Sequence, residues 1–206
     1  MVSQYLCENG FVPTPTENHK KNMIRATARL LPSKGLAGLS LVEVARITGA
    51  PRGSLYHYFP GGWEELVRDA LSVAQDYGLN LVQALPVSDD KPEAVVQAMG
   101  REFKRWMKKT GFDGGCPVAA AALSAGEDEP AIRSQCADIY ARWIAALDAR
   151  FQAHGLKKPD SGRFAQAVLD GFEGALIRAR AQKNVTPIDT AVANLTVLAQ
   201  VLYLRR

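Results

Sequence analysis

Histidine is scarce in this 206-residue chain, with only His19, His57 and His154 present. No HExxH, GxSxG, phosphate-binding glycine loop or dinucleotide fingerprint accompanies them, so nothing marks an enzyme. Cysteine is as thin. Cys7, Cys116 and Cys136 show no CxxC spacing and no neighbouring histidine, which argues against a disulfide framework or a zinc site and leaves no cofactor to expect. No apolar run approaches the ~18 residues that a membrane span requires. The first residues lack a basic leader followed by an apolar core, so a cytoplasmic protein with no membrane partner is expected. No strand-like alternation, internal repeat or low-complexity tract occurs either.

Acidic residues are nearly missing from one stretch. Residues 18 to 60 hold Lys20, Lys21, Arg25, Arg29, Lys34, Arg46 and Arg52 against the single acid Glu43, a local charge of +6. Residues 61 to 206 balance 18 bases with 18 acids, so the whole positive excess sits in this early segment. Taken alone, such a run suits a solvated helix face as well as a phosphate-binding one.

The order within that segment narrows the choice. Ser40 followed by Glu43 forms a capping box that starts a helix at Leu41, and Leu41, Val44, Ala45 and Thr48 give it a small apolar stripe. Gly49 stands where a left-handed terminating residue belongs, and Pro51 suits the first turn of a second helix. Gly53 permits close approach of a neighbour or a phosphate. Leu55 and Phe59 face inward from this second helix, which leaves Arg52, Ser54, Tyr56, His57 and Tyr58 pointing out; the alternatives are a merely solvated His57 and a Tyr58 packed back on the domain. Two short helices joined by a tight turn form a helix-turn-helix, expected over residues 40–59.

The run SLVEVARITGAPRGSLYHYFPGG closely resembles the DNA-binding segment of TetR-type bacterial transcriptional repressors, and Leu55 to Phe59 matches its most characteristic pentapeptide. The resemblance implies a three-helix DNA-binding domain, a fourth helix leading to a larger helical domain, homodimerisation, and release from double-stranded operator DNA on binding a small molecule. Carried over by position, Arg52, Gly53, Ser54, Tyr56, His57 and Tyr58 would contact DNA, with Tyr56 on a phosphate and Ser40 capping the helix that crosses the backbone. The family usually carries a lysine at the start of the fourth helix. Trp63 stands there instead, and the amides of Gly61 and Gly62 are the substitute anion donors.

The rest of the chain reads as helices in series. Residues 1–17 carry Pro13 and Pro15 and read as a flexible arm. A first helix is expected over 18–34, with Ile24, Thr27, Ala28 and Leu31 buried and Pro32 near its end. Further helices follow from Trp63, from Pro92, over the small residues after Cys116, from Pro130, from a cap at Asp160 or Ser161, and from Thr186. Nine helices give an all-α protein: a DNA-binding domain over 18–78 and a ligand-binding and dimerisation domain over 79–206.

GFDGGCPVAAAAL, YARWIAAL and FEGALIRARA further resemble the LmrA/YxaF-like branch of that family, whose named members repress multidrug exporters. An apolar or amphiphilic inducer is then implied. Met99, Phe103, Trp106, Cys116, Tyr140, Trp143 and Phe172 are the candidate lining, each of which reads equally as plain core. The last two helices are the expected dimer surface, through Ala167, Gly171, Gly174, Ala175, Arg178, Ile188, Val192, Leu195, Ala199 and Leu202. The alternative for these is packing inside the monomer. An alternative function is thiol-based redox sensing at Cys116, whose place at a helix start favours the thiolate.

Overall fold

A computed structural model describes residues 17–85 and 91–205. Among them the chain forms nine α-helices and one 3-10 turn, with no strand. The helices are α1 (Glu17–Lys34), α2 (Leu41–Thr48), α3 (Leu55–Tyr58), α4 (Gly62–Ala84), α5 (Pro92–Lys109), α6 (Pro117–Ser124), α7 (Pro130–Ala153), α8 (Asp160–Gln182) and α9 (Thr186–Leu204). The expected arm, apart from Glu17, lies outside the described residues, as does Cys7. Two compact units emerge: one runs to Tyr77 and includes Cys116–Ile139, the other holds Gly78–Gly115 with Tyr140–Arg206. The segment Cys116–Ile139, expected within the larger domain, therefore groups with the reading head.

In the first unit, α1 turns Met23, Thr27, Ala28 and Leu31 inward, while Ile24 is only half-buried. Its inner face is thus centred nearer Met23 than the expected stripe. The buried Thr27 hydroxyl donates to the Met23 carbonyl at 2.9 Å, so it enters the core with its hydrogen bond made. Pro32 does not break the helix, which runs two residues further and stops at Gly35, whose φ of 65° is left-handed. α1 packs on α2 and on α6. The small residues of α6 allow that approach, and the Leu36 amide donates to Ser124 Oγ at 3.3 Å.

In the second unit, α5, α8 and α9 pack on one another around Val95, Met99, Val168, Phe172, Leu195 and Ala199. Gly100 sets how closely α5 and α9 can lie. A Cβ built there would stand 2.2 Å from Val192 Cγ2, well inside van der Waals contact. Lys104 Nζ reaches Asp189 Oδ1 at 2.7 Å across the same pair of helices. At the start of α8, Asp160 is already helical and pairs with Arg163, while Ser161 is buried, so neither is the expected cap; Pro159 holds that position.

The expected dimer surface divides in two. Ala175, Ile188, Leu195 and Ala199 are buried inside the monomer, Ala167, Val192 and Leu202 pack against its core, and Gly171 lies under Leu195. Ala175, Ile188, Leu195 and Ala199 thus bind α8 and α9 to their own unit, while Ala167, Gly171, Val192 and Leu202 are half-buried. Gly174 and Arg178 do face outward. With them stand Ile177, Val197 (59% exposed), Leu198, Val201 and Leu204 (84%). This second apolar line on the same two helices is masked in the sequence by the more continuous inward stripe.

Candidate nucleic-acid interface

The reading head is built by short helices fixed at both ends. Ser40 is extended, at φ −150°, and its Oγ accepts the Glu43 amide at 3.2 Å. The reciprocal half of the capping box is replaced by an ion pair. Glu43 turns its carboxylate to the Arg46 guanidinium, at 2.8 and 3.0 Å, and is held below the ordinary carboxylate range by it. Gly49, at φ 70° and ψ 20°, ends α2 in the left-handed conformation the sequence called for, with its amide on the Ala45 carbonyl.

Pro51, at φ −64°, leads into a 3-10 turn over Arg52–Ser54, and only from Leu55 does the backbone become α-helical. The recognition segment is therefore shorter and more tightly wound at its start than a continuous helix from Pro51. Leu55 and Phe59 anchor it. Phe59 is fully buried, and each such side chain contributes about 1.5–3 kcal/mol of hydrophobic stabilisation. Arg52, Gly53 and His57 are exposed, Ser54 is half-buried, and Tyr56 is 74% exposed. A Cβ at Gly53 would meet nothing within 4 Å, so no neighbour within the protein requires glycine there.

Tyr58 departs from the expected row. It is 7% exposed and stacks on His19 of α1, with ring centroids 6.4 Å apart, while the His57 ring lies tilted against it at 6.0 Å. It holds α1 against the recognition segment and does not point outward. The reason is periodic: Leu55, Tyr58 and Phe59 sit at i, i+3 and i+4, one helix face.

The proposed amide donors are also taken. Gly61 donates its N–H to Glu65 Oε2 at 2.8 Å and Gly62 donates to the Phe59 carbonyl at 2.9 Å. These bonds cap α4 from within, and the Gly61 amide is the main reason the Glu65 carboxyl lies below its ordinary range. Trp63 is half-buried beside them. Lys20 braces the same corner, 3.2 Å from Glu65 Oε1 and 4.9 Å above the Phe59 ring.

A solvent-open cleft of about 500 Å³ follows along α4, lined by Glu64, Glu65, Arg68, Asp69 and Gln135 among others. Gln135 of α7 spans it, donating to the Arg68 carbonyl at 2.9 Å and accepting from Arg68 Nε at 3.3 Å. Three carboxylates and one guanidinium line it, and Lys20 Nζ stands within 3.8 Å of two of those carboxylates, Glu65 and Asp69. The polar spacing Glu64, Glu65, Arg68, Asp69, Ser72 was the available signal for it.

The candidate effector residues are packed. Met99 and Phe172 belong to the core of the second unit, and Phe103 and Trp106 pack on that core, with the Phe103 and Phe172 rings 5.0 Å apart. Tyr140 and Trp143 meet edge to face at 5.8 Å. Cys116 lies in the first unit, where its Sγ accepts the Ala119 amide at 3.4 Å and caps α6. Cys136 is buried, which pushes its thiol up to about 11.

Comparison with known proteins bears on this geometry. Residues 23–70 match the family described as bacterial regulatory proteins of the tetR family, and residues 92–194 match the C-terminal domain of LmrA/YxaF-like transcriptional regulators. An HTH-type transcriptional regulator of Mycobacterium tuberculosis H37Rv is 29% identical over 175 residues, covering 82% of this chain and 88% of that protein. The crystal structure of a regulatory protein TetR from Rhodobacter sphaeroides superposes with a TM-score of 0.76 at 22% identity, over 85% of this chain and 96% of the other. A cysteine-substituted TetR family regulator, CifR, in complex with a 26-base-pair operator duplex, does so with a TM-score of 0.71 at 19% identity, over 92% and 97%.

Proposed function

The chain belongs to the TetR family of bacterial transcriptional regulators, with an LmrA/YxaF-like C-terminal domain, and is a DNA-binding regulator of transcription and not an enzyme; from that premise we propose that it is a cytoplasmic repressor that binds a palindromic operator as a homodimer and leaves it when a small apolar effector binds. The observation that carries the reading is the outward row of Arg52, Ser54, Tyr56 and His57, on a segment whose opposite side is anchored by Leu55, Tyr58 and Phe59. A rigid inner face leaves the outer one with little conformational entropy to lose on entering a major groove. Tyr56 donates its hydroxyl to a phosphate and fixes position. Arg52 and Ser54 reach base edges and specify sequence, and Gly53, bare on its outer side, lets the duplex backbone come close.

Homodimerisation follows from the exposed line Ile177, Val197, Val201 and Leu204 with Gly174, an apolar surface that a second copy covers by two-fold symmetry. Two recognition segments then address half-sites about 34–36 Å apart. The effector enters among the half-buried Phe103, Trp106 and Tyr140, against Met99, Trp143 and Phe172. It displaces operator only by its differential affinity for the two states, and operator displaces it in equal measure. Redox sensing at Cys116 is the competing reading. Alkylating the thiols decides it, because the effector mechanism leaves operator binding and induction unchanged.

Selection of bound sequences from a random duplex pool tests the proposal. An enriched palindrome with half-sites one helical turn apart supports it, and a pool that stays random refutes it.

A further inference from the structure

Gly174 stands in the interior of α8, exposed, and a Cβ built there would meet nothing within 4 Å. Glycine inside a helix is less stable than alanine, and nothing in the monomer requires it at this position. Four residues to either side, about 6 Å along the helix, stand Asp170 and Arg178, both exposed. The other charged side chains of α8 are engaged: Asp160 pairs with Arg163, Arg180 donates to the Asp113 carbonyl at 2.7 Å, and Glu173 also interacts. Asp170 and Arg178 alone on this helix have no partner among the described residues.

The pattern is complementary to itself. Two copies of one helix related by a two-fold axis pack either parallel or antiparallel. In the parallel case each residue meets its own copy, so Asp170 faces the partner's Asp170 and Arg178 the partner's Arg178, which sets like charges together. In the antiparallel case, crossing at Gly174, a residue before the glycine meets the one equally far after it. Arg178 then lies beside the partner's Asp170, twice by symmetry, and Ile177, 55% exposed, comes opposite the partner's Gly171. Seven residues out, Ala181 meets the partner's Ala167. Opposite charges face each other, and the large side chain falls where there is none.

Resting on the homodimer reading, we infer that two copies pack α8 on α8 antiparallel, crossing at Gly174, and that the reciprocal Asp170–Arg178 pairs fix this register and select a second copy of this chain as the partner. The exposed apolar side chains of α9 supply contact area without saying where along the helix the copies meet. The charges do say so, and they reject a related chain whose charges differ at these two positions.

The test is sedimentation of the full-length protein at micromolar concentration and low salt. Wild type is expected to be a dimer. The variants D170K and R178E each set like charges against one another at two contacts, and each is expected to raise the dimer Kd at least about a hundredfold while keeping the helical circular-dichroism signal. Mixing the two variants in equal amounts restores opposite charges at both contacts, so the mixture is expected to return to a dimer, as is the double variant D170K/R178E. Added salt, which screens exposed charges, narrows the gap between each single variant and wild type. The inference is overturned if the single variants dimerise as tightly as wild type, which leaves this face to another occupant, or if they dissociate and their mixture stays monomeric. In either case the wild-type dimer, and so the homodimer reading, stands. A monomeric wild type at the same concentration refutes that reading and the register with it.

Discussion

Replacing Tyr56 and Tyr58 by alanine in two separate proteins distinguishes an outward row from an anchored one. Tyr58 is 7% exposed and stacks on His19, so its removal empties space between α1 and α3. Deleting a buried aromatic ring costs about 3–5 kcal/mol. Against a total stability of about 5–15 kcal/mol that is a large share, so Tyr58→Ala should melt at markedly lower denaturant and bind DNA poorly because the head is loosened. Tyr56 is 74% exposed, and its loss should move stability by no more than about 0.5 kcal/mol. A hydrogen bond to a charged group contributes about 1.5–3 kcal/mol, and two heads lose two of them. Tyr56→Ala should therefore weaken binding to every duplex at least about a hundredfold with an unchanged melt. Urea unfolding and operator titration on the same preparations read both quantities. A Tyr58→Ala protein that unfolds like wild type yet has lost DNA would refute the placement of that ring.

At the crossing of α5 and α9, Gly100→Ala gains about 1 kcal/mol of helix propensity but drives a methyl into Val192, for a net loss of about 1–3 kcal/mol. Val192→Ala in the same chain should restore most of it. A coupling energy near zero in that double-mutant cycle would show that the helices separate freely. Ile177→Glu with Val197→Glu should keep the helical circular-dichroism signal, convert the proposed dimer to monomer in sedimentation, and reduce operator affinity; a persistent dimer would move the interface elsewhere. The Cys136 thiol, pushed up to about 11 by burial, stays protonated through neutral and mildly basic pH. Iodoacetamide at pH 8 should therefore label Cys116 in the native protein and reach Cys136 only after unfolding, and equal labelling would place Cys136 at the surface.

The elements whose signals are local were legible in the sequence. Ser40, Gly49 and Pro51 bound their turn by backbone chemistry that needs no distant partner. Tyr58 was misplaced because a four-residue helix is too short to show its period. The amides of Gly61 and Gly62 were misjudged because their acceptors, Glu65 and the Phe59 carbonyl, are assigned only once the chain turns. The expected dimer residues that the monomer buries, Ala175, Ile188, Leu195 and Ala199, were misplaced for a different reason. α9 carries two apolar lines, and hydrophobic spacing does not say which one the monomer uses itself.

The central claim is that the outer side of the segment from Arg52 to His57 reads a specific duplex. Competition between the selected palindrome and its scrambled sequence, at one fixed salt concentration and with wild type beside Arg52→Ala, addresses it most directly. A wild-type preference of about a thousandfold or more, relaxed at one position per half-site in the variant, is the expected result. Equal affinity of wild type for both duplexes would contradict it.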